Sequence, residues 1–489
     1  MADRVDYLLD ILSYGRYELP NDRSSNAYIN PVITPVKGCD RRRLRASGDF
    51  FNQRMFPLLE KADDKEYSLE KAQDILMLGT EGITKYEFDS PYRFHRPVPS
   101  ARGMHPCELY SIRANGVERY NPSDNSYDEL FKGKDEDSNC FSIVIAADDY
   151  RLGKFYGDFS YVLCALDAGH IIGNVIVLAN KLGYEVEVDY SKAVDPVGES
   201  FDSFFREQDL IVYGTLIVKK RGEKYYSPLS SKEIKVTRET DYKGYTKKMK
   251  YRNELIGLKE LNEDNLVPDR ISGKALSKKS VIKEDETIGK ILVNRTSAHS
   301  HIGLMSIGAV EDLGEKLKWI QKGLMEYINL NHLNDFVKAE IFINQENEEY
   351  KRGYYEIDND GLVLLADAED SSKEWFRIIH DSHEFLNVET LPFVMFTCVN
   401  ITKIKQKYGN RLIDVAYMLS GEIAQIICLL VTKYGMFCRP IKNIQEDKIE
   451  DLIGADNTME RITYGMLIGN ANIEQHKLEI NVLGGNENG

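Results

Sequence analysis

Few stretches of this sequence bring together side chains that could do chemistry. Arg295 and Ser297 place a guanidinium and a hydroxyl two residues apart, in Arg295-Thr296-Ser297-Ala298-His299. A phosphate takes such groups, with free backbone N–H groups near a helix N-terminus; taken alone, such a stretch is more often a helix start. Lys407 and Tyr408 are adjacent. At ordinary pKa values of about 10.4 and 10, neither is an effective base near neutrality. A neighbouring ammonium would lower the tyrosine's pKa and burial the lysine's. Otherwise the pair is a solvated lysine and a half-buried tyrosine. Pro99-Ser100-Ala101, followed by Gly103, makes a stiff loop of small residues that another group can approach closely, or a turn that packs His105 onto the core. Metal chemistry has little support. His380-Asp-Ser-His383-Glu384 is not HExxH, and His299-Ser-His301 lacks further ligands. Glu356–Asp367 has partial EF-hand spacing but the wrong first and twelfth positions, so a hairpin turn explains it better. No Walker A motif, glycine-rich Rossmann turn or serine nucleophile elbow is present.

The elements that must position these residues belong to a chain of 489 residues, long enough for two or three domains. Hydrophobic residues are 42% and charged residues 29%, which excludes wholesale disorder. Acidic residues outnumber basic ones, 78 to 63, and a net charge of −15 argues against nucleic-acid or anionic-membrane binding. The most apolar segments, Tyr161–Ala179 and Val415–Val431, carry Asp167, His170 and Asn174 in one and Glu422 and Gln425 in the other. Neither is a convincing membrane span. His170 reads as a satisfied core histidine. The seven cysteines form no CxxC pair, and the N-terminus lacks a signal pattern. A cytoplasmic protein is expected.

The strongest structural signal is an internal repeat. Residues 154–186 align without a gap on 406–438, at an offset of 252. Five positions are identical: Tyr156/Tyr408, Gly157/Gly409, Gly169/Gly421, Lys181/Lys433 and Gly183/Gly435. Each copy predicts a long buried helix that ends at Gly183 or Gly435. A mid-helix glycine costs about 1 kcal/mol against alanine, so Gly169 and Gly421 imply close packing against another element. Upstream, Glu108–Ile112 corresponds to Glu340–Asn344, and Asn359-Asp360-Gly361 reads as a strand entering a tight turn. The chain is therefore a duplicated domain of about 190–220 residues. The boundaries expected are an N-terminal extension over 1–40, domain one over 41–218, a charged linker or insertion over 219–285, domain two over 286–483 and a tail over 484–489. The lysine-rich stretch reads as solvated surface, with a peptide-docking surface as the minority reading.

Val98-Pro-Ser-Ala-Arg-Gly-Met-His-Pro-Cys-Glu-Leu-Tyr110 resembles the Pro-Ser-Ala-Gly-x-x-His-Pro-x-Glu-x-Tyr segment of the SagB-type dehydrogenases, a branch of the flavin nitroreductase-like proteins. Lys407-Tyr408-Gly409-Asn410-Arg411 is similar to that family's Lys-Tyr-Gly-x-Arg, and Asp167-Ala-Gly-His170 to its Ala-Gly-His helix. Arg295-Thr-Ser297 is similar to the Arg-x-Ser that opens nitroreductase domains. The resemblance implies an α+β fold of two tandem nitroreductase-like domains, packed as an intrachain pseudo-dimer with flavin at the interface. It implies an FMN-dependent oxidation of thiazoline or oxazoline rings to thiazoles or oxazoles in a ribosomally made peptide. Partners would be the modified precursor peptide and the pathway's cyclodehydratase. The chain would act as a monomeric pseudo-dimer or a homodimer.

Carried onto this sequence, the resemblance assigns Arg295, Ser297 and His299 to the phosphate. It assigns Pro99, Ser100, Ala101 and Gly103 to a loop capping the ring, and Pro440, Ile441, Lys442 and Asn443 to a loop beside it. Lys407 and Tyr408 become the catalytic pair, expected on a loop that Gly409 permits. Domain one keeps the capping loop but reads Phe155-Tyr156 at the Lys-Tyr position, and three acids in Tyr184–Asp189. Domain two keeps the remaining parts but has Asn329–Asp335 where Pro-Ser-Ala should be. These losses are complementary, so one FMN per chain is expected, gripped by domain two and capped by domain one. The alternatives are a nitroreductase-like flavin enzyme acting on another substrate, and a flavin-free scaffold that docks a peptide.

Overall fold

A computed structural model describes residues 40–44, 48–87, 94–113, 116–132, 139–190, 205, 208–223, 235–236, 271–272, 286–298, 304–306, 308–368, 386–453, 459–470 and 479–481. Residues 1–39 of the expected extension, Arg45–Ser47, His299, most of 219–285 and the tail 484–489 lie outside the described residues.

The duplication is visible in the sheets. The first half contributes β1 (Cys107–Arg113), β2 (Gly116–Asn121), β3 (Ser126–Lys132), β4 (Cys140–Ala147), β5 (Tyr184–Asp189) and β6 (Ile211–Lys220). The second contributes β7 (Val337–Ile343), β8 (Gly353–Asp358), β9 (Gly361–Asp367), β10 (Phe393–Asn400), β11 (Met436–Ile441) and β12 (Glu460–Asn470). The order is β3-β2-β1-β4-β6-β5 in one sheet and β9-β8-β7-β10-β12-β11 in the other, so adding six to each label turns one into the other. Every pair is antiparallel. The expected turn at Asn359–Gly361 joins β8 to β9. Lys235–Val236 and Ile271–Ser272, from the stretch read as a linker, extend the first sheet by pairing with β3 and β5. Glu479–Asn481 pairs with Lys85–Glu87, which pairs with Phe94–His95, so the end of the second half is stitched to the first.

The helices repeat as well. Besides helices at Gly48–Phe51, Leu69–Glu81 and Glu446–Ile453, the first half has α1 (Tyr150–Tyr156) and α2 (Ser160–Leu182); the second has α3 (Ile288–Asn294), α4 (Leu313–Leu330), α5 (Ile401–Tyr408) and α6 (Leu412–Thr432). Gly157 and Gly409, at φ 56° and 55°, break the chain between α1 and α2 and between α5 and α6. That backbone conformation costs glycine little and other residues much. Gly183 caps α2 at φ 83°, as expected. In the second copy, i to i+3 bonds from Tyr434 N–H to Val431 O and from Gly435 N–H to Thr432 O tighten the last turn. There α6 stops at Thr432, and Gly435 lies in the turn that follows.

α2 and α6 pack against each other at the centre of the protein. Both are apolar enough to cross a membrane by length and composition, but both are buried inside the protein. They cross at the paired glycines. A Cβ on Gly169 would lie 2.1 Å from the Met418 carbonyl oxygen, and one on Gly421 would lie 2.1 Å from that of Leu166. Because Gly169 and Gly421 are one repeat position, the crossing marks the pseudo-twofold axis relating the halves. Gly169→Ala and Gly421→Ala should each destabilise the chain by about 1–3 kcal/mol, the usual cost of overpacking. Gly48→Ala, with nothing within 4 Å of the added carbon, should not. Thermal or denaturant unfolding of the three variants checks this.

Candidate functional site

A cavity of about 500 Å³ opens between the halves. The first half contributes the loop Val98–Gly103, Phe155 and Tyr156 at the end of α1, and Asp167 from α2. The second contributes Arg295, Ser297, the run Arg439–Asn443 and Tyr464. Ten expected site residues therefore meet here: Pro99, Ser100, Ala101, Gly103, Arg295, Ser297, Pro440, Ile441, Lys442 and Asn443. The stretch expected as a ring-side loop begins as strand: Pro440 and Ile441 close β11, the edge strand beside β12. An edge is where a sheet tolerates proline.

The capping loop is strained and tightly held. Arg102, Gly103 and His105 all have left-handed backbone, at φ 52°, 59° and 45°. Ser100 Oγ accepts from the His105 N–H at 2.9 Å and donates to Asp167 Oδ2 at 2.5 Å. Arg151 donates to the His105 carbonyl at 2.9 Å. Burial of Asp167 pushes its carboxyl up to about 8, against the lowering effect of the bonds from Ser100 and the Ala101 N–H. Near neutrality this acid is mostly protonated, within reach of its own titration. Burial holds His105 neutral by lowering its pKa, as do the nearby Arg96 and Arg295.

Arg295 lies just past α3, where its N–H closes the helix on Ile291 O. Its guanidinium donates to Ser297 Oγ and to the Arg96 carbonyl, both at 3.2 Å. Its Nε is buried with no partner, and it has no carboxylate partner among the described residues. Burial lowers its pKa. A buried cation with an unspent N–H beside a hydroxyl suits a phosphate. Asn443 Oδ1 is likewise buried without a partner, and would accept from a ring N–H. Lys442 is less available, because it is paired with Glu446. These residues fit a flavin mononucleotide: Arg295 and Ser297 for its phosphate, Asn443 and the Val98–Gly103 backbone for its ring.

Lys407 and Tyr408 do not belong to this cavity. They end α5 rather than lying on a loop. Tyr408 is 5% exposed, with its ring 5.7 Å from Tyr190 and 6.0 Å from Phe336. Lys407 Nζ lies 5.0 Å from the Phe336 ring. The pseudo-twofold axis accounts for this placement. It places α1, in the same half as the capping loop, beside the cavity, and α5 beside the rotationally equivalent position. That position is filled. Tyr190 and Tyr327 donate to Glu422 at 2.7 and 2.8 Å. Arg411 donates to the carbonyls of Tyr190 and Tyr213 and pairs with Asp414 at 3.0 Å. Burial raises the Glu422 carboxyl to about 7. His170, less than one turn after Asp167 on α2, is buried 3.4 Å from the Tyr464 hydroxyl, with its pKa pushed down to about 3 by burial. Cavity residues not foreseen include Asp167, Tyr156, Arg102, Arg439 and Tyr464. The available signal was that Phe155-Tyr156 shares a half with Pro-Ser-Ala.

No family profile matches the sequence, and no curated protein matches it significantly. Among solved structures, the chain is similar to a provisionally assigned nitroreductase from Anabaena variabilis. The match has 15% identity and a TM-score of 0.63, and covers 94% of this chain and 96% of that one. This match establishes a nitroreductase-like fold over nearly the whole chain. Shorter overlaps occur with the E. coli microcin synthetase McbBCD complex with truncated pro-MccB17 bound (16% identity, 45% of this chain, 82% of that one, TM-score 0.30). Another is with an FMN-bound nitroreductase from Desulfitobacterium hafniense (14%, 37%, 89%, 0.21). At those scores they carry no argument about this chain.

Asp167 gives a pH signature. Its folded pKa, about 8, lies above the ordinary carboxyl value of 3.8. The folded state therefore holds the proton more tightly, and the stability this confers is full below about pH 4 and lost as pH rises towards 8. Asp167→Asn should gain stability relative to the parent chain between pH 5 and pH 9, as read by paired thermal melts. A pH-independent difference would remove Asp167 from this account.

Proposed function

We propose that the chain is an FMN-dependent dehydrogenase, similar to the SagB-type enzymes, that oxidises thiazoline or oxazoline rings in a modified peptide. The observation that carries this reading is the cavity between the halves, lined by the capping loop of one and the unpaired Arg295 of the other. The filling of the rotationally equivalent position by Tyr190, Tyr408 and Glu422 supports one FMN per chain. The peptide, and the cyclodehydratase that closes its rings, would be the partners.

In this reading Arg295 and Ser297 hold the phosphate, and Pro99–Gly103, Pro440 and Ile441 keep the ring between two walls. Bound there, FMN supplies a hydride acceptor. The proton at the azoline Cα, acidified by its imine and carbonyl neighbours, has to leave to a group of the protein. Tyr156 supplies a hydroxyl and Asp167 a carboxyl to the lining of the cavity. The ionised fraction of Asp167, which grows as pH rises towards 8, can take up that proton, and Ser100 holds its orientation. Lys407 and Tyr408 have no part in this step.

One observation favours a second reading. Phe155 occupies the lysine position of the Lys-Tyr segment in the copy that lines the cavity. This suits a flavin oxidoreductase of the same fold acting on another substrate.

Reconstitution with FMN should give a flavin-to-protein ratio near one; a ratio near two would reject the single site. Loss of a buried charge-assisted contact in Arg295→Ala should weaken FMN binding by about 10–100-fold. Tyr156→Phe and Asp167→Asn should slow single-turnover flavin reduction by an azoline peptide, while Lys407→Ala should leave it unchanged. Loss of two hydrogens per ring, by mass spectrometry, identifies azoline oxidation. Flavin uptake without that loss, together with turnover of a nitroarene, selects the second reading.

A further inference from the structure

We propose that Arg102 is a specificity residue that receives a carboxylate of the substrate at the cavity, an inference that rests on the cavity being the reaction site. Arg102 sits in the capping loop at φ 52°, where glycine would be free of strain and arginine is not. A non-glycine residue held there points to a use for its side chain. Its guanidinium carbon lies 4.9 Å from the centre of the Phe155 ring and 5.6 Å from that of Tyr156. These cation–π contacts use the face of the two rings and none of the guanidinium's N–H groups, which can meet a carboxylate with two parallel bonds. Two buried arginines are neutralised, Arg96 by Glu81 and Arg119 by Asp128. Arg102 has no carboxylate partner among the described residues, in a chain whose net charge is −15. Asp167, the carboxyl that shares the cavity, is already committed to Ser100. With Arg295 assigned to the phosphate and Arg96 paired with Glu81, Arg102 and Arg439 are the guanidinium groups left at the cavity, and Arg102 is the one carried by the capping loop. The complementary group is a carboxylate next to the reacting ring, either on a free ring acid or on an acidic side chain flanking the ring in a peptide.

The test is calorimetric titration of the FMN-supplemented full chain with two matched pairs of probes. One pair is thiazole-4-carboxylate and its methyl ester. The other is a pair of acetylated peptides carrying a thiazole next to glutamate or glutamine. In at least one pair the acid should bind about tenfold or more tightly than its neutral partner. The pair that shows this identifies the source of the carboxylate. The ratio should fall to near one in Arg102→Gly and Arg102→Gln and be partly kept in Arg102→Lys. Arg102→Gly removes the backbone strain and Arg102→Gln the charge, so a folding defect in one leaves the other to decide. Equal affinities in both pairs overturn the proposal, as does discrimination that survives both variants and is lost in Arg439→Gln. Flavin uptake is read separately by absorbance. Its absence sinks the flavin reading, whereas equal affinities with flavin bound sink only the role of Arg102.

Discussion

The crossing of α2 and α6 is the contact on which the site depends. Two helices whose carbonyl oxygens lie 2.1 Å from a would-be Cβ leave no room for any residue but glycine at the contact. Close approach brings two otherwise self-sufficient antiparallel sheets against one shared pair of helices, and each sheet then lies opposite the loops of the other half. The capping loop reaches Arg295 only because Asp167, two residues before Gly169, anchors Ser100 from α2. The same crossing sets Glu422, next to Gly421, against Tyr190 of the first half. One contact thus positions both the open cavity and its filled counterpart.

Several polar groups inside this contact are matched across it. Asn174 donates to the Gly79 carbonyl at 3.0 Å and accepts from Gln425 at 3.0 Å, linking α2 to α6. Tyr161 donates to Asp414 across the axis. An unmade bond in such a setting costs about 1–3 kcal/mol. Mismatched registers between the helices would leave several of these groups unpaired, so the network favours the one register that puts the glycines together.

Much of this was legible in the residues. The repeat at an offset of 252 foretold two like halves, and the matched strand orders show them. Gly169 and Gly421 foretold a close contact, because a mid-helix glycine is costly without one. The capping and phosphate residues were readable as types. Which copy of a motif faces which cavity was not legible. Lys407-Tyr408 looks like the better pair in one dimension, but in three dimensions its aromatic neighbours, Tyr190 and Phe336, enclose it. Asp167 hides in an apolar helix run, and only its bond to a residue 67 positions earlier reveals it. Arg102 reads as an ordinary surface cation until its backbone dihedral is known.

The filled position beside Tyr408 bears on how such a chain can change. In a symmetric homodimer every substitution falls on both active sites at once, so neither can be given up without the other. Joining two copies in one polypeptide lifts that restriction. Tyr190 and Lys442, at one repeat position, are free to be a wedge in one lobe and half of an ion pair in the other. A space kept open in one lobe is packed solid in the other and has become part of the molecule's foundation, and the halves no longer have to be good at the same task.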